Sequence, residues 1–267
     1  MERTQERPAE AAIAIRIRDL RKVYRIGQEK VVALKKIDVD IRKGEICCIL
    51  GTSGSGKSTL LNQLAGLEKP TRGSVTIFDR NISKMSESQL AVFRQKHIGF
   101  VFQSYDLISS MTALENVSMP LEFRGVSPAK RRRLAEKMLE RVGLKDRMRH
   151  RPSEMSGGQQ QRVGIARAFV MKPELVFADE PTGNLDSKTS AEVMSIMLGT
   201  CRENGSTMVL VTHDRNVAAY ADRILTISDG EIVKEEFNPE PRGSEKNTAE
   251  PAPKAEPAPE KETTDEN

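Results

Sequence analysis

The stretch Gly51-Thr-Ser-Gly-Ser-Gly-Lys-Ser-Thr59 decides the fold of this 267-residue chain. It matches the pattern G-x-x-x-x-G-K-[ST] and follows the apolar run Ile46–Leu50, so a buried strand enters the loop and a helix leaves it. The glycines let backbone N–H groups wrap phosphate oxygens, and the helix N-terminus adds a positive dipole end. The predicted phosphate cradle consists of Gly51, Thr52, Ser53, Gly54, Ser55, Gly56, Lys57, Ser58 and Thr59.

The cradle also predicts a ligand and a reaction. Lys57 would reach the β- and γ-phosphates of ATP, and the Ser58 hydroxyl would bind Mg²⁺. A second buried strand, Leu175 to Ala178, ends in Asp179 and Glu180. Asp179 would hold Mg²⁺ or its water, and Glu180 would act as the general base on an attacking water. The sequence therefore predicts an enzyme that hydrolyses ATP to ADP and phosphate.

Strand and helix patterns along the chain predict an α/β fold. Alternating apolar residues between Ile13 and Asp40 indicate short antiparallel strands, whereas from Glu45 onward buried strands alternate with amphipathic helices. The second pattern is typical of a parallel sheet with helices on both faces. Residues from about 84 to 160 carry few strand signals, which predicts a helical subdomain. Near the end, residues 224–233 predict a hairpin around Asp229-Gly230.

Composition predicts where the folded part begins and ends. Residues 238–267 hold six of the thirteen prolines and few apolar side chains, so we expect a disordered tail there. We expect a flexible N-terminus over residues 1–12 and a folded domain over residues 13–237. The tail has eight acidic against four basic residues, a net charge of −4, and the total of +4 leaves +8 on the remainder.

Targeting and redox signals in the sequence are weak. No stretch comes near the run of about 18 apolar residues that a membrane span needs, and the polar start Met1 to Glu10 lacks the apolar core of a signal peptide. The three cysteines have neither metal-ligand nor disulfide-framework spacing. We therefore expect a chain in the reducing cytosol that does not itself cross a membrane.

A second anion-binding pattern lies at Met155-Ser-Gly-Gly-Gln159, before a predicted helix. Ser156 and Gln159 fit a capping box, and Gly157 and Gly158 leave N–H groups exposed at the helix N-terminus. One nucleotide does not need two such sites. In their order, these motifs resemble those of the ATP-binding subunits of ABC transporters, over about residues 13–236. The resemblance implies a P-loop NTPase cassette of ABC type, with a RecA-like core, an antiparallel β subdomain and a helical subdomain.

The resemblance implies roles for further residues. Tyr24 matches the aromatic residue that stacks on adenine, Gln103 the glutamine that senses metal and water, and His213 the switch histidine. The segment Gly183-Asn-Leu-Asp186 matches the D-loop that follows the second nucleotide motif. Met155 stands where the family signature usually begins with Leu, and it preserves an apolar anchor. Catalysis is thereby expected from Glu180, His213 and Gln103, and metal binding from Ser58, Gln103 and Asp179.

In the family, the signature of one subunit closes over ATP held by the phosphate loop of another subunit. The predicted signature residues that contact this ATP are Ser156, Gly157, Gly158 and Gln159. The resemblance therefore implies a head-to-tail dimer of two copies. ATP would hold the dimer closed, and hydrolysis would release it.

Several phrases narrow the resemblance to one branch of the family. The segments Ile98-Gly-Phe-Val-Phe-Gln103, Thr112-Ala-Leu-Glu-Asn-Val117 and Pro181-Thr-Gly-Asn-Leu-Asp186 resemble macrolide-exporter, lipoprotein-releasing and cell-division ATPases. This branch implies a separately encoded integral membrane permease, driven by dimer closure and opening, and a location at the cytoplasmic face of the cell membrane. It leaves room for an extracytoplasmic accessory protein. No nucleic-acid partner is expected.

Two other classes of protein stay open at this point. Soluble ABC ATPases that act on ribosomes or nucleic acid usually carry tandem cassettes or a long coiled-coil insertion, whereas this chain shows one cassette and no sustained heptad run. A regulatory nucleotide-binding module without turnover would lack a general base, whereas Glu180 and His213 are present. Both classes are less consistent with the motifs than a transporter ATPase.

The basic run Lys130 to Arg133 falls in the first turn of a predicted helix, where its charges oppose the helix dipole. A solvated helix face explains the run without any ligand. The alternative hypothesis is attraction to an anionic membrane leaflet or to an acidic partner loop.

Overall fold

Two β-sheets organise residues 12–243, the part of the chain that the computed structural model describes. The strands are β1 Ile13–Ile26, β2 Glu29–Arg42, β3 Ile46–Leu50, β4 Arg72–Ile77, β5 Arg80–Asn81, β6 Ile98–Val101, β7 Leu175–Asp179, β8 Thr207–Thr212, β9 Arg223–Ser228 and β10 Glu231–Phe237. The helices are α1 Lys57–Leu64, α2 Glu87–His97, α3 Ala113–Phe123, α4 Pro128–Arg141, α5 Gly157–Phe169, α6 Ser187–Asn204 and α7 Arg215–Ala218. Short 3₁₀ helices lie at Ile82–Lys84, Lys145–Arg147 and Pro152–Glu154.

The larger sheet has six strands in the order β10-β9-β3-β8-β7-β6. All neighbours pair in parallel except β9 and β10, which form the predicted antiparallel hairpin. Strands β3 and β8 are buried along their whole length, as their continuous apolar sequences require. The carboxyl ends of the parallel strands share one edge, where open α/β sheets bind ligands. The predicted α/β fold is confirmed.

The smaller sheet is antiparallel, in the order β2-β1-β4-β5. Strands β1 and β2 are 14 residues each, longer than the short strands predicted, and several register shifts interrupt their pairing. Their apolar faces pack with α1 against one face of the larger sheet, in a core that includes Ile15, Leu34, Leu64 and Phe177. This packing places α1, and the loop before it, between the two sheets.

Helices α3, α4, α5 and α6 pack on the opposite face of the larger sheet, around buried residues such as Val117, Leu139, Val163 and Met197. Thr112 and Glu115 form a capping box at α3, and Pro128 opens α4. The predicted helical range of about 84 to 160 also contains β6, which is a strand of the six-stranded sheet. No helix within residues 12–243 has the length and apolar character needed to cross a membrane.

Two cations of the basic run in α4 form ion pairs within the chain. Arg131 lies 3.1 Å from Glu122, and Arg132 lies 2.8 Å from Glu136 one helical turn away. Both pairs are partly or largely exposed, so each contributes less than about 1 kcal/mol. These pairs explain two of the four cations as part of a solvated helix face. Binding of the run to an anionic partner stays a hypothesis.

The end of the described chain packs against α7. The Asn238 backbone N–H donates to the Asp222 carbonyl, and the Arg242 N–H donates to the Ala219 carbonyl. Residues 238–243, which composition places in the predicted tail, thus include N–H groups that find hydrogen-bond acceptors on the domain. The rest of the predicted tail, residues 244–267, lies outside the described residues, as does most of the predicted flexible N-terminus, residues 1–11.

Arg223 is a buried cation that joins the two sheets. Its guanidinium donates to the Asp40 carbonyl at 2.8 Å and lies 3.3 Å from Glu45, and it also pairs with Glu235 at 2.9 Å. The Arg223 and Glu45 side chains are only 8% and 11% exposed. Removing the cation would leave Glu45 buried without its main counter-charge.

We expect Arg223→Met to lower the free energy of unfolding by about 3 kcal/mol, because breaking a buried ion pair strands the remaining charge. Urea denaturation of the full chain measures this change. The matched control is Arg132→Met, which removes an exposed pair and should change stability by less than about 0.5 kcal/mol. Equal stability of the two variants would contradict the assignment.

Candidate functional site

The loop between β3 and α1 is a narrow backbone turn that only glycine permits at its two ends. A Cβ on Gly51 would lie 2.5 Å from the Ile227 carbonyl oxygen. Gly56 adopts a φ of 104°, and a Cβ there would lie 2.7 Å from the Ala33 carbonyl oxygen. Further on, the Ser55 carbonyl accepts the Gly230 N–H at 3.0 Å. The hairpin β9–β10 and strand β2 therefore hold the loop in place.

The positive end of α1 is left open to a ligand. Helix α1 begins at Lys57 with no side-chain cap and no acidic residue in its first turn. Lys57 is 8% exposed, and its Nζ donates to the Thr52 carbonyl at 2.7 Å, so the ammonium group lies across the loop. The Ser55 hydroxyl is buried with no hydrogen-bond partner among residues 12–243. This arrangement of N–H groups and one ammonium suits a polyphosphate.

Two carboxylates lie at the end of β7 beside this loop, Asp179 as its last residue and Glu180 directly after it. Burial, and then the charge of Glu180, raise the pKa of Asp179, and the nearby Lys57 ammonium partly offsets both effects. Glu180 has a φ of 43°, an uncommon conformation for a residue with a side chain, and its N–H donates to the Val211 carbonyl at 2.9 Å. The β7–β8 pairing thus continues one residue past the strand and fixes the Glu180 backbone.

The Glu180 carboxylate is oriented by two partners on the next strand. The Thr212 hydroxyl donates to Oε2 at 3.1 Å, and His213 Nδ1 lies 2.8 Å from Oε1. With Glu180 ionised, the hydrogen bond requires a proton on His213 Nδ1. Glu180 is 15% exposed and His213 is 65% exposed, so the histidine covers the carboxylate from the solvent side.

Gln103 reaches the same place from the end of β6. Its Nε2 donates to Asn184 Oδ1 at 3.4 Å, and Asn184 Nδ2 donates back to the Gln103 carbonyl at 3.2 Å. A Cβ on Gly183 would lie 2.8 Å from Gln103 Nε2. The hydrogen bonds of the Asn184 side chain to the side chain and the backbone carbonyl of Gln103 require the close approach that Gly183 allows.

These groups surround one cleft of about 850 Å³ at the carboxyl edge of the large sheet. The predicted residues that line it are Thr52, Ser53, Gly54, Gly56, Lys57, Ser58, Thr59, Gln103, Glu180 and His213. The volume lies within the range of small-molecule sites. A phosphate cradle, a carboxylate and its histidine partner thus face a single space large enough for a nucleotide.

The signature residues lie at a separate place. Ser156 caps α5, and the Ser156 hydroxyl accepts the Gln159 N–H at 3.3 Å while Gln159 Oε1 accepts the Ser156 N–H at 3.1 Å. Both halves of the predicted capping box are present. A polar cavity of about 280 Å³ adjoins this helix start. Its lining is Gly143, Leu144, Asp146, Arg147, Ser156, Gly158, Gln159, Arg162 and Thr189, none of which lines the large cleft.

Comparison with known proteins identifies the family of the chain. The ABC transporter family model matches residues 34–183. An ABC transporter ATP-binding protein of Methanocaldococcus jannaschii is 50% identical over 220 residues, which cover 82% of this chain and 98% of that protein. The chain belongs to the ABC transporter ATP-binding family. It is the ATP-binding and ATP-hydrolysing subunit of a transporter, as the sequence predicts, and the ribosome or nucleic-acid class is not favoured.

Other similar proteins agree with the predicted branch of the family. The lipoprotein-releasing ATP-binding protein LolD of Chromohalobacter salexigens is 41% identical, with 84% of this chain and 94% of that protein covered. The macrolide export ATP-binding/permease protein MacB of Hahella chejuensis is 46% identical over 84% of this chain, which spans only 34% of that longer protein. The chain thus matches complete ATPase subunits and about a third of the macrolide exporter.

A solved ABC cassette has the same fold. The Methanocaldococcus jannaschii cassette, described as a dimer in a post-hydrolysis state bound to ADP and phosphate, has a TM-score of 0.78 and 42% identity. The match covers 84% of this chain and 98% of that one. The predicted ABC cassette fold is therefore confirmed.

Tyr24 of this ABC cassette is not among the residues that line the nucleotide cleft. It is half-buried, its hydroxyl donates to Glu68 Oε2 at 2.7 Å, and Lys22 Nζ lies 5.0 Å from the ring centroid. Burial, and then the hydrogen bond to Glu68, raise the pKa of Tyr24. The ring thus lies at the edge of the site, with its hydroxyl already engaged.

The D-loop of the cassette leads directly into α6. Asp186 is the N-cap of this helix and accepts hydrogen bonds from the N–H groups of Lys188 and Thr189, at 3.1 and 3.0 Å. A Cβ on Gly158 would lie 2.4 Å from the Thr189 methyl group. The D-loop helix and the signature helix are therefore packed closely, and Gly158 is needed for that contact as well as for any exposed N–H.

The donor set of the cassette fits Mg²⁺. The Ser58 hydroxyl, the Gln103 amide and the Asp179 carboxylate offer oxygen donors on three elements around Lys57. Within the described range, no group of three or more His, Cys, Asp and Glu side chains forms a metal cage. One carboxylate with oxygen donors from water and nucleotide is the usual setting for Mg²⁺, whereas zinc needs more protein ligands.

Part of the cleft wall is formed by residues that no sequence motif marks. Val31, Val32, Ala33 and Lys35 of β2, with Asp229-Gly230 of the β9–β10 turn, also line the cleft. The hairpin turn is evident in the sequence, but its position over the phosphate loop depends on how two sheets pack. Val31 and Val32 are exposed there, as apolar side chains that face a ligand often are, but this exposure is a property of the packed sheets that no sequence motif marks.

Proposed function

We propose that two copies of this chain bind Mg²⁺ATP between them and drive a membrane permease by closing and opening. The separation of the signature cavity from the phosphate-loop cleft carries this proposal. A helix N-terminus with N–H groups and a hydroxyl attracts phosphate, yet the nucleotide held at Lys57 belongs to the other cavity. A head-to-tail pair of chains supplies each ATP with both surfaces.

Within each site, we assign the chemistry to groups whose orientation is fixed. Glu180 takes a proton from water as the water oxygen attacks the γ-phosphorus and the bond to the ADP oxygen breaks. Oε1 and Oε2 of Glu180 each accept one hydrogen bond, which leaves lone pairs for the attacking water. His213 holds the carboxylate through Nδ1, and its imidazole is 65% exposed. Donation from Nε2 to a γ-phosphate oxygen would require a second proton on the ring.

Mg²⁺ would be held by Ser58 and Asp179, with Gln103 as a further contact, and it would neutralise phosphate charge as the bond breaks. Ser156, Gly157, Gly158 and Gln159 of the second copy would complete the γ-phosphate shell. Tyr24 would stack on adenine from the edge of the cleft. A cassette with this base and histidine in contact has what turnover needs, unlike a purely regulatory nucleotide-binding module.

A groove beside Gln103 suits the permease. It has a volume of about 600 Å³ and is mostly apolar, with Val92, Phe100, Phe102, Met119 and Phe123 among its lining residues. Phe123 is 68% exposed, which is unusual for an aromatic side chain without a partner. Phe102 lies in the groove and directly precedes Gln103 in the chain. We infer that a cytoplasmic helix of the permease binds here and reports the state of the ATP site.

Such a partner would place the chain at the cytoplasmic face of the membrane, held there by the permease. The relatives named for lipoprotein release and macrolide export support this role, with an extracytoplasmic accessory protein as a further component in some systems. Substrate recognition would belong to the permease. Recovery of the chain with ribosomes or nucleic acid and without a membrane protein would contradict the proposal.

We expect Phe123→Asp to weaken binding to the permease by at least about ten-fold, because exposed aromatics at the centre of a groove carry most of the binding energy. ATP hydrolysis by the isolated chain should stay within about two-fold, since Phe123 is not in the nucleotide site. Co-purification from detergent-solubilised membranes, followed by titration of the recovered permease, measures binding, and phosphate release by the isolated chain measures hydrolysis.

The matched control is Val233→Asp, which changes an exposed apolar residue of β10 outside the groove. This control should retain the permease. Equal retention of the permease by the two variants would rule out the groove as the binding surface.

A further inference from the structure

Gln161 is a buried amide that none of the roles above explains. It lies on the signature helix α5, is 0% exposed, and both hydrogens of its Nε2 are used. One is donated to the Phe102 carbonyl at 3.1 Å and the other to the Pro181 carbonyl at 2.6 Å. Its Oε1 has no hydrogen-bond partner among the described residues. The side chain is thus held by its two donated bonds alone.

The two acceptors are neighbours of the catalytic groups. Phe102 directly precedes Gln103, and Pro181 directly follows Glu180. The pairing of β6 with β7 ends at Val101 and Ala178, so the two backbone segments leave the sheet just before they reach the site. Beyond that point the Gln161 amide joins them. Together with the hydrogen bonds between Gln103 and Asn184, this side chain therefore holds the backbone that carries Gln103 beside the backbone that carries Glu180.

A second side chain of α5 fastens the same loop. The Arg167 guanidinium donates to the Tyr105 carbonyl at 3.0 Å and to the Asp106 carbonyl at 2.5 Å. Tyr105 and Asp106 have φ values of 63° and 45°, which non-glycine residues adopt only when the surroundings hold them. The segment from Phe102 to Asp106, which contains Gln103, is therefore attached to the signature helix at two places.

We propose that Gln161 is a positioning residue that keeps Gln103 and Glu180 in register and moves both with the signature helix. Closure of the dimer shifts α5, and the two hydrogen bonds donated by the Gln161 amide transmit that shift to Gln103 and Glu180. Hydrolysis is then coupled to the closed arrangement. This inference rests on the proposed roles of Glu180 and Gln103. A displacement of about 1 Å at a catalytic group is enough to lower a rate by 10²-fold.

The test replaces Gln161 by Met, which is similar in volume and lacks hydrogen-bonding hydrogens. We expect the full chain carrying Gln161→Met to lose about 10- to 100-fold in kcat, with KM for ATP changed by less than about two-fold. Rates are expressed per nucleotide-binding subunit, so that loss of folded protein does not count as loss of catalysis. Gln161→Asn keeps the amide on a shorter side chain, and we expect an intermediate kcat.

The matched control is Gln63→Met on α1. Gln63 is 1% exposed, and neither its Oε1 nor its Nε2 has a partner within residues 12–243. The same substitution at the same burial should leave kcat within about two-fold of the wild type. In a Glu180→Gln background, Gln161→Met should still form the ATP-bound dimer, because the nucleotide-contacting residues are untouched.

Three results would overturn the proposal. They are a wild-type kcat per binding subunit in Gln161→Met, an equal loss of kcat in Gln63→Met, and a rise in KM or a loss of dimer formation as large as the loss of kcat. The Glu180→Gln variant, measured in parallel, separates the two levels of inference. If it retains hydrolysis, the proposed base is wrong, whereas an inactive Glu180→Gln beside an active Gln161→Met refutes only the positioning role.

Discussion

Replacing Glu180 by glutamine is expected to lower ATP turnover by about 10²- to 10⁴-fold, the usual contribution of a general base. ATP binding should change little, because glutamine has the same shape and still accepts the Thr212 hydroxyl hydrogen bond seen at 3.1 Å. The lost function is proton acceptance from water. Steady-state phosphate release measures turnover, and calorimetric titration measures ATP affinity.

The control for this variant is Glu140→Gln, which neutralises an exposed carboxylate paired with Lys145 on the helical side. It should turn over ATP like the wild type. If Glu180→Gln retained more than about a tenth of wild-type turnover, another group would have to accept the proton, since losing a general base has a larger effect. The hydrogen bond to His213 would then have only a structural meaning.

Replacing Lys57 by alanine is expected to weaken ATP binding by about 10- to 100-fold, because a hydrogen-bonded charge contributes about 1.5–3 kcal/mol. Lys57 is 8% exposed, and its ammonium is positioned by the Thr52 carbonyl across the mouth of the loop. Within residues 12–243, Lys57 is the only buried cation that lines the cleft, and alanine removes it. Calorimetric titration with ATP in the presence of Mg²⁺ gives the affinity directly.

Lys35→Ala is the matched control for Lys57→Ala. Lys35 lines the same cleft, but it is 48% exposed and lies 3.4 Å from Glu231. Screening by water reduces its effect on a phosphate, so we expect a change in affinity of less than about three-fold. Similar losses in both variants would mean that overall charge, and not the phosphate loop, attracts the nucleotide.

Local sequence patterns predicted the parts of the site that depend on neighbours in the chain. The loop Gly51–Thr59, the strand end at Asp179-Glu180 and the capping box of Ser156 with Gln159 each lie within a few residues, so periodicity and capping rules define them. The structure has a strand, loop and helix where these patterns indicate them. Glycine also ends α6, since its C-cap Gly205 has a φ of 64°.

Local sequence patterns do not predict contacts between distant segments. The exchange of hydrogen bonds between Gln103 and Asn184 joins residues 81 positions apart, and the Gln161 amide reaches Phe102 across 59 positions. A buried glutamine in an amphipathic helix has no signature that separates it from a solvated one. Likewise, the placement of β2 over the phosphate loop follows from sheet packing, which a single sequence does not encode in any local period.

Boundaries were also hard to predict from composition. Residues 238–243 share the proline-rich composition of the sequence that follows, yet Asn238 donates from its side-chain Nδ2 to the Ala219 carbonyl at 3.0 Å. Hydrogen bonds to the helix end at Ala219 outweigh an unfavourable composition over these few residues. The strand β6 lies inside a helix-rich stretch, where a buried-strand pattern runs over only the four residues Ile98–Val101.

The central claim is that the phosphate loop of one chain is half of an ATP site and that Ser156 of a second chain completes it. Sedimentation of Glu180→Gln with Mg²⁺ATP tests this most directly, beside the same chain carrying Ser156→Arg. We predict an ATP-dependent dimer for Glu180→Gln, and ATP-bound monomers once the arginine blocks the signature surface. ATP-bound Glu180→Gln that stays monomeric at every protein concentration, or dimers that persist with Ser156→Arg, would contradict the shared site.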